Sequence, residues 1–140
     1  MAPTKVTVRF TANFEANLAQ IESFWVEHSA TQAWVALLDE LETTVIVNLE
    51  RHPRIGRKFF ERSGQSIEVR ARVALLLERF GAAEVREYLS GDYVLLYSLS
   101  TLAGVGKGGL VIHLLAIKHH RQLSFDFAGL WPSGGTGAGG

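Results

Sequence analysis

Three apolar runs in the second part of the chain have the lengths and residue types of β-strands: residues 84–89, 93–99 and 110–117. A Ser-Gly-Asp turn separates the first two runs, and a glycine-rich segment separates the second from the third. Runs of this length with such connections are typical of an antiparallel meander. The sequence therefore predicts a three-stranded sheet, and a sheet must bury at least one face against other elements.

The first part of the chain supplies a further strand and two helices. Alternation of apolar and polar residues over 6–10 predicts a strand with one solvated face, as at the edge of a sheet. Apolar residues then recur at helical spacing from Asn13 to about His28, and again from about Ser29 to Pro53. The two apolar stripes contain Phe14, Leu18, Ile21 and Trp25, and Trp34, Leu38, Leu41, Val45 and Leu49. Two amphipathic helices joined by so short a connection predict an antiparallel hairpin.

The boundaries of these helices follow from local signals. Ser29 and Gln32 have the spacing of a capping box, which predicts Ser29 as the N-cap of the second helix. A third helix is predicted from about Ser66 to Phe80, with Gly81 ending it. Between the second and third helices, residues 51–65 carry five Lys or Arg residues and one Glu, which predicts a basic loop.

Length and composition predict one domain over residues 1–132, followed by a flexible glycine-rich tail over 133–140. The chain has no cysteine, which excludes disulfides, thiolate catalysis and cysteine-ligated metal sites. Its apolar runs are too short to cross a bilayer, and its N-terminus lacks a signal-peptide core. We therefore expect a cytoplasmic protein without a membrane partner.

Charge is divided unevenly along a chain whose net charge is zero. Residues 1–50 hold two basic and seven acidic residues, a net of −5, and residues 51–140 hold twelve basic and seven acidic residues, a net of +5. The division indicates either one basic surface for an anionic partner or charges scattered over a solvated surface.

The segment Lys118 to Arg121, with sequence KHHR, follows directly on the third apolar run. Strict alternation along that run predicts two faces. One face, expected to lie under the helices, has Ile112, Leu114 and Ala116, with Lys118 and His120 at its rim. The other, expected to be the open face of the sheet, has Val111, His113, Leu115, Ile117, His119 and Arg121.

The KHHR segment has two chemical interpretations. A histidine that titrates near neutral pH can move a proton, and an arginine can grip phosphate oxygens, so His119 and Arg121 together suit a phosphodiester. The same residues also fit a basic strand end that is simply solvated. No metal or cofactor site is predicted, because His119 and His120 should point to opposite faces and His113 lies far along the strand. The Gly104–Gly109 segment does not match a phosphate-binding loop and predicts a flexible hairpin connection.

The order of these pieces resembles the RelE/ParE superfamily of bacterial type II toxin–antitoxin toxins, over about Val6 to Trp131. The residues that carry the resemblance are HPRIGR after the hairpin, REYLSGDYVLLYSL, and VIHLLAIKHHRQLSFDF. The resemblance implies an α+β fold in which a strand and a helical hairpin pack on an antiparallel meander. The predicted third helix is an addition to the short family core.

The resemblance implies a toxin that inhibits growth, stabilises plasmids and is neutralised by a cognate antitoxin, as a homodimer or a heterotetramer with the antitoxin. Its implied target is DNA gyrase for ParE-like members and mRNA on the ribosome for RelE-like members. Val94 stands where RelE-like toxins usually have an arginine, and Arg86 with Glu87 resembles the start of the corresponding ParE-like strand. We therefore expect a gyrase poison, with a ribosome-dependent mRNA endonuclease and a plain binding domain as alternatives.

The expected site residues differ between these alternatives. A nuclease would use His119 or His120 as a base, with Arg121 and Arg86 stabilising the phosphate. Binding of an anionic target or partner would use Arg57, Lys58, Arg86, Lys118 and Arg121.

Overall fold

The computed structural model describes residues 5–61, 67–79, 81–82, 84–101, 109–122 and 125–128. Its elements, in chain order, are β1 (Val6–Phe10), α1 (Ala12–Glu27), α2 (Thr31–Glu40), a π-helical turn (Leu41–Val45), α3 (Ile46–Arg51), β2 (Arg57–Lys58), a 3-10 turn (Phe59–Glu61), α4 (Ile67–Arg79), β3 (Glu84–Ser90), β4 (Tyr93–Thr101) and β5 (Leu110–His119). The fold is α+β, as predicted. None of the helices in these residues is long and apolar enough to span a bilayer.

The strands form one sheet in the order β1-β5-β4-β3-β2. The predicted antiparallel meander β3-β4-β5 is confirmed, and β1 lies at an edge. β1 pairs parallel to β5, so the sheet is mixed. No turn joins β1 to β5, so turn geometry does not set their relative direction. β2, within the predicted basic loop, adds a two-residue antiparallel strand on β3.

The helical hairpin buries its two apolar stripes against one face of the sheet. Phe14, Leu41, Val45 and Leu49 are buried in a single core cluster with residues of β4 and β5, and Trp25 packs against it. The predicted hairpin packing is therefore confirmed. α2, the π-helical turn and α3 follow one another without a gap in the sequence, so the second helix of the hairpin contains one wider turn.

The connection between the two helices differs from the predicted capping box. Ser29 has φ 54°, in the left-handed region, and its backbone N–H donates to the carbonyl of Val26. Ser29 therefore terminates α1, and the N-cap of α2 is Ala30, which makes no side-chain cap. The predicted role of Ser29 is wrong, because a residue in the left-handed region that closes one helix does not have the extended geometry of an N-cap.

The opposite face of the sheet is covered by α4. Val73 and Leu76 of α4 are buried in a second core cluster with Leu96 and Leu115. Phe59, Phe125 and Phe127 belong to the same cluster, so the segment after β5 packs back onto the sheet. The expectation that this face is open is wrong, because the apolar stripe of the additional helix is buried against it.

A β-bulge in β5 changes which face its side chains occupy. Leu96 pairs with Ala116 and Tyr97 pairs with Leu114, which leaves Leu115 as an extra residue. Ile112 and Leu114 lie on the hairpin face as predicted, but Ala116 lies on the α4 face and Ile117 on the hairpin face. The extra residue reverses the alternation beyond it, so the predicted faces of the strand end, from Ala116 onward, are wrong.

Side chains of α1 bond the backbone groups around the bulge. The Asn13 side-chain amide donates to the carbonyl of Leu115 at 2.9 Å. The side-chain oxygen of Asn17 accepts from the backbone N–H of Ile117 at 3.0 Å. The Thr11 hydroxyl caps α1 through the N–H of Phe14 and donates to the carbonyl of Leu114. Buried backbone groups released by a bulge need such partners, so α1 and the bulge stabilise each other.

Several predictions fall on residues outside the described ranges. They are the hairpin connection, of which residues 104–108 lie outside these ranges, and the tail over 133–140.

Candidate functional site

A cleft of about 440 Å³ lies between α1 and the ends of β4 and β5. We call it the strand-end cleft and define it by Ile21, Phe24, Trp25, Tyr93, His119 and Arg121. His119 reaches this cleft because the bulge moves the end of β5 onto the hairpin face. The structure therefore brings His119 and Arg121 together, as predicted, but beside α1 and not on an open sheet face.

Aromatic rings form one wall of the strand-end cleft. The indole N–H of Trp25 donates to the Tyr93 hydroxyl at 2.9 Å, which links α1 to β4. Phe24 packs edge-on against Trp25, and Tyr93 packs edge-on against His119 with ring centroids 5.4 Å apart. These contacts hold the wall in one arrangement, as aromatic pairs at such distances do.

The surroundings of His119 favour the neutral form of its ring. Burial lowers the pKa of His119, and the neighbouring His120 lowers it further. The backbone N–H of Arg121 donates to Nδ1 of His119 at 3.2 Å, which places the proton of the neutral ring on Nε2. The lone pair that a general base would use is therefore already occupied by the backbone of the same turn.

His120 lies in the turn after β5, where its ring stacks on that of His119 at 4.6 Å between centroids. The expectation that the two rings point to opposite faces is wrong, because β5 ends at His119 and alternation ends with it. Nδ1 of His120 lies 3.1 Å from the carbonyl of Asp92, and a neutral ring that donates this bond carries its lone pair on Nε2. His120 therefore has the tautomer that a general base needs, with the lone pair on Nε2.

Lys118 lies on the other side of the strand end. Its ammonium group sits over the Phe125 ring at 5.4 Å from the centroid and donates to the carbonyl of Gln122 at 3.0 Å. The KHHR segment therefore divides: His119 and Arg121 line the cleft, His120 is exposed in the turn, and Lys118 packs toward the α4 face.

The predicted basic residues Arg57, Lys58 and Arg86 lie together at the opposite edge of the sheet, on β2 and β3. Arg86 donates to the carbonyls of Gly56 at 2.6 Å and Arg54 at 3.1 Å, and it pairs with Glu84 at 2.8 Å. Arg86 therefore fastens the loop before β2 to the sheet. Burial alone would raise the pKa of Glu84, but hydrogen bonds from Arg54 and Arg86 outweigh it and hold that pKa below its usual value.

On the other face of this edge, charged side chains are also paired. Arg57 forms an ion pair with Glu87 at 3.4 Å, and the Glu87 side chain is almost completely buried. Arg86 pairs with Tyr97 and His119 pairs with Tyr93, which places them about 13 Å apart along β4 as well as two strands apart. The structure does not bring Arg86 into a common site with His119 and Arg121.

Polar residues of α1 and of the segment after β5 complete the strand-end cleft. Gln20 donates to a carboxylate oxygen of Asp126 at 3.4 Å, and both residues line the cleft together with Asn17. Sequence reasoning missed these residues, since each lies in an amphipathic or irregular segment without a motif. In the described part of the chain, no three His, Asp or Glu side chains come together as metal ligands would.

Comparison with known protein families identifies one family. No curated protein matches the chain significantly. A family model described as "ParE toxin of type II toxin-antitoxin system, parDE" matches residues 8–124, which is most of the chain. The match includes the hairpin, the sheet edge with Arg57, Lys58 and Arg86, and the KHHR segment. The chain belongs to the ParE toxin family of type II toxin–antitoxin systems.

Proposed function

We propose that this toxin inhibits growth by binding DNA gyrase, without a catalytic step of its own, and that a cognate antitoxin neutralises it. The proposal rests on the observation that α4 covers the face of the sheet opposite the hairpin. Leu96 and Leu115 lie on the face opposite the hairpin. Both are fully buried in the second core cluster, to which α4 contributes. A covered apolar face offers no surface on which mRNA could lie.

The distribution of charged groups supports the same proposal. Cleavage through a 2′-hydroxyl needs a base and several cations around one phosphate. Here Arg86 is bonded to loop carbonyls and Glu84 at the opposite edge, and Lys118 packs toward the α4 face. The lone pair of His119 accepts a backbone N–H. Among the site residues predicted from the sequence, Arg121 is thus the cation that shares a cleft with a histidine.

A ribosome-dependent mRNA endonuclease remains the second candidate because of His120. A histidine whose Nδ1–H donates to a carbonyl presents its Nε2 lone pair outward, as a general base must. Arg121 follows it in the same turn and could contact a phosphate. This candidate would place the chemistry on the exposed turn after β5.

Alanine variants of the turn separate the two candidates in growing cells. Gyrase binding predicts that His119→Ala and His120→Ala stay toxic, whereas Arg121→Ala weakens growth inhibition, because binding needs the charge and no proton transfer. A nuclease predicts that His120→Ala loses about 10²- to 10⁴-fold in rate. Arg72→Ala, at an exposed position on α4, is the control for removal of a positive charge. Circular dichroism of each variant verifies that it folds.

Neutralisation by an antitoxin is tested with the neighbouring gene. We expect a small protein encoded beside the toxin to copurify with it on co-expression and to restore growth. Such a partner would meet apolar side chains exposed on the helices, among them Phe24 and Val35. Co-expression that neither captures a small partner nor restores growth would refute the antitoxin part of the proposal and leave the gyrase part standing.

A further inference from the structure

We infer that the strand-end cleft binds a short acidic peptide segment in which a bulky apolar side chain adjoins a carboxylate. The inference rests on the proposed function, since it assigns this segment to the neutralising partner. It goes further by naming the site on this chain and the side-chain chemistry that the site selects.

The apolar half of the site is open and already ordered. Phe24 is 49% exposed, although its neighbour Trp25 packs against the core. The Phe24 ring is held by Trp25 on one side and by His28 on the other. Ile21 lies at the base of the same wall. An exposed aromatic fixed by two neighbouring rings loses little side-chain entropy when it is covered, which favours an apolar anchor there.

The charged half of the site is positive. Within the described residues Arg121 forms no ion pair, although it lines the cleft. The proton on Nε2 of neutral His119 makes its ring a hydrogen-bond donor beside Arg121. A guanidinium and an N–H donor next to an apolar wall match a carboxylate that is attached to an apolar group.

The acidic residue in the cleft sets the direction of the segment. One carboxylate oxygen of Asp126 accepts from Gln20, and the other accepts from the backbone N–H of Ala128. The carboxylate of Asp126, both of whose oxygens already accept hydrogen bonds, repels a second carboxylate. The carboxylate of the ligand must therefore lie toward Arg121, with its apolar neighbour against Phe24 and Trp25.

The size of the cleft fits a short segment. Its volume of about 440 Å³ lies in the range of pockets that enclose small ligands, of about 300–1,000 Å³. A flat surface would accept many apolar partners, whereas this shape combines an apolar wall with one cationic corner. The combination selects a pair of neighbouring side chains.

The test is a titration of the purified full-length toxin, followed by NMR through the Trp25 indole N–H. The probe is the capped peptide acetyl-Glu-Leu-Phe-Glu-amide, and the matched probe replaces both Glu residues by Gln. We expect the Glu peptide to shift the Trp25 signal and to bind at least about tenfold more tightly than the Gln peptide, because one well-placed charge contact is worth that factor. N-acetyl-phenylalanine serves as a small aromatic carboxylate without a second side chain.

Two variants locate the binding, and two controls match them. Phe24→Ala and Arg121→Gln should each weaken binding of the Glu peptide by about tenfold or more. Leu75→Ala and Arg72→Gln change an exposed apolar and an exposed basic residue of α4, away from the cleft, and should leave the affinity unchanged.

The inference is overturned if the Glu peptide leaves the Trp25 signal unmoved, or if it binds the Phe24 and Arg121 variants as tightly as the original toxin. Equal affinity for the Glu and Gln peptides overturns the acidic requirement. N-acetyl-phenylalanine binding as tightly as the peptide overturns the assignment to a peptide segment. The titration contains no gyrase, so its failure and the failure of gyrase inhibition are separate results.

Discussion

Tyr97 is the residue that joins the basic loop to the sheet. Its side chain is fully buried, and its hydroxyl donates to the carbonyl of Pro53 and accepts from the N–H of Gly56, both at 2.9 Å. Burial raises the pKa of Tyr97, so the hydroxyl keeps its proton. A Cβ at Gly56 would lie 2.5 Å from the carbonyl oxygen of Glu87, so only glycine allows this approach. The HPRIGR segment therefore has a structural role, because Tyr97 holds its turn against the sheet.

Replacing Tyr97 by Phe removes the hydroxyl and keeps the ring. We expect the free energy of unfolding to fall by about 1–3 kcal/mol, because the Gly56 N–H and the Pro53 carbonyl lose a buried partner. Tyr88→Phe is the matched control, since its hydroxyl accepts from Asn48 at a half-buried position, and it should cost less. Urea unfolding measures both changes. Equal losses in the two variants would contradict the role given to Tyr97.

Two histidines predict a pH dependence of stability. Burial lowers the pKa of His113, with Arg9 adding to the effect, and burial lowers the pKa of His119. Near pH 6.5 the unfolded chain therefore binds more protons at these positions than the folded chain does. Stability should therefore be greatest above that pH, and it should fall as the pH drops from about 6.5 toward the folded-state pKa values.

The variant His113→Gln isolates one of these contributions. We expect the fall in unfolding free energy between pH 7 and pH 5 to become shallower in this variant, as followed by urea unfolding at several pH values. His28→Gln removes a histidine from an exposed helix end and is the control. A slope that is unchanged by His113→Gln would contradict the assignment.

At the scale of elements, the bulge in β5 decides the composition of the candidate site. Sequence alternation places Ile112 and Leu114 correctly, because they precede the bulge, and fails from Ala116 onward. No glycine or proline marks the extra residue at Leu115. It is stabilised by Asn13 and Asn17, about 100 positions away in the sequence. Local pattern cannot reveal a register that depends on contacts so distant.

The position of α4 is a second feature that local sequence pattern predicts only in part. Its apolar stripe and its end at Gly81, which has φ 59°, were predictable from the sequence. The face of the sheet that it covers was not predictable, since an amphipathic helix indicates that a partner exists without identifying it. His119 and Arg121 line one cleft, but the aromatic wall opposite them could be recognised only from the structure.

Two adjacent leucines of α4 test its packing. Leu76 is 1% exposed against the sheet, and Leu75 is 52% exposed on the outer side. Leu76→Ala should lower the free energy of unfolding by about 2–5 kcal/mol, because it leaves a cavity in the second core cluster. Leu75→Ala should change it by no more than about 0.5 kcal/mol. Similar small effects in both variants would mean that α4 does not cover the sheet in solution.

At the scale of the whole molecule, both faces of the sheet are covered, by the hairpin and by α4. In the described part of the chain, the sheet edge formed by β2 and β3 is not an open surface for an anionic partner, because Arg54, Arg57 and Arg86 are paired with Glu84 and Glu87. Surfaces that the described residues offer to partners include the exposed sides of the helices and the strand-end cleft. This arrangement favours a toxin that acts by binding a large protein.

The most direct measurement compares two activities of the same purified toxin. One assay follows supercoiling of a relaxed plasmid by DNA gyrase, and the other follows mRNA cleavage on translating ribosomes. We predict inhibition of supercoiling by the original toxin and by its His120→Ala variant, with the mRNA left intact. Cleavage of mRNA that depends on His120, together with undiminished gyrase activity, would contradict the proposed function.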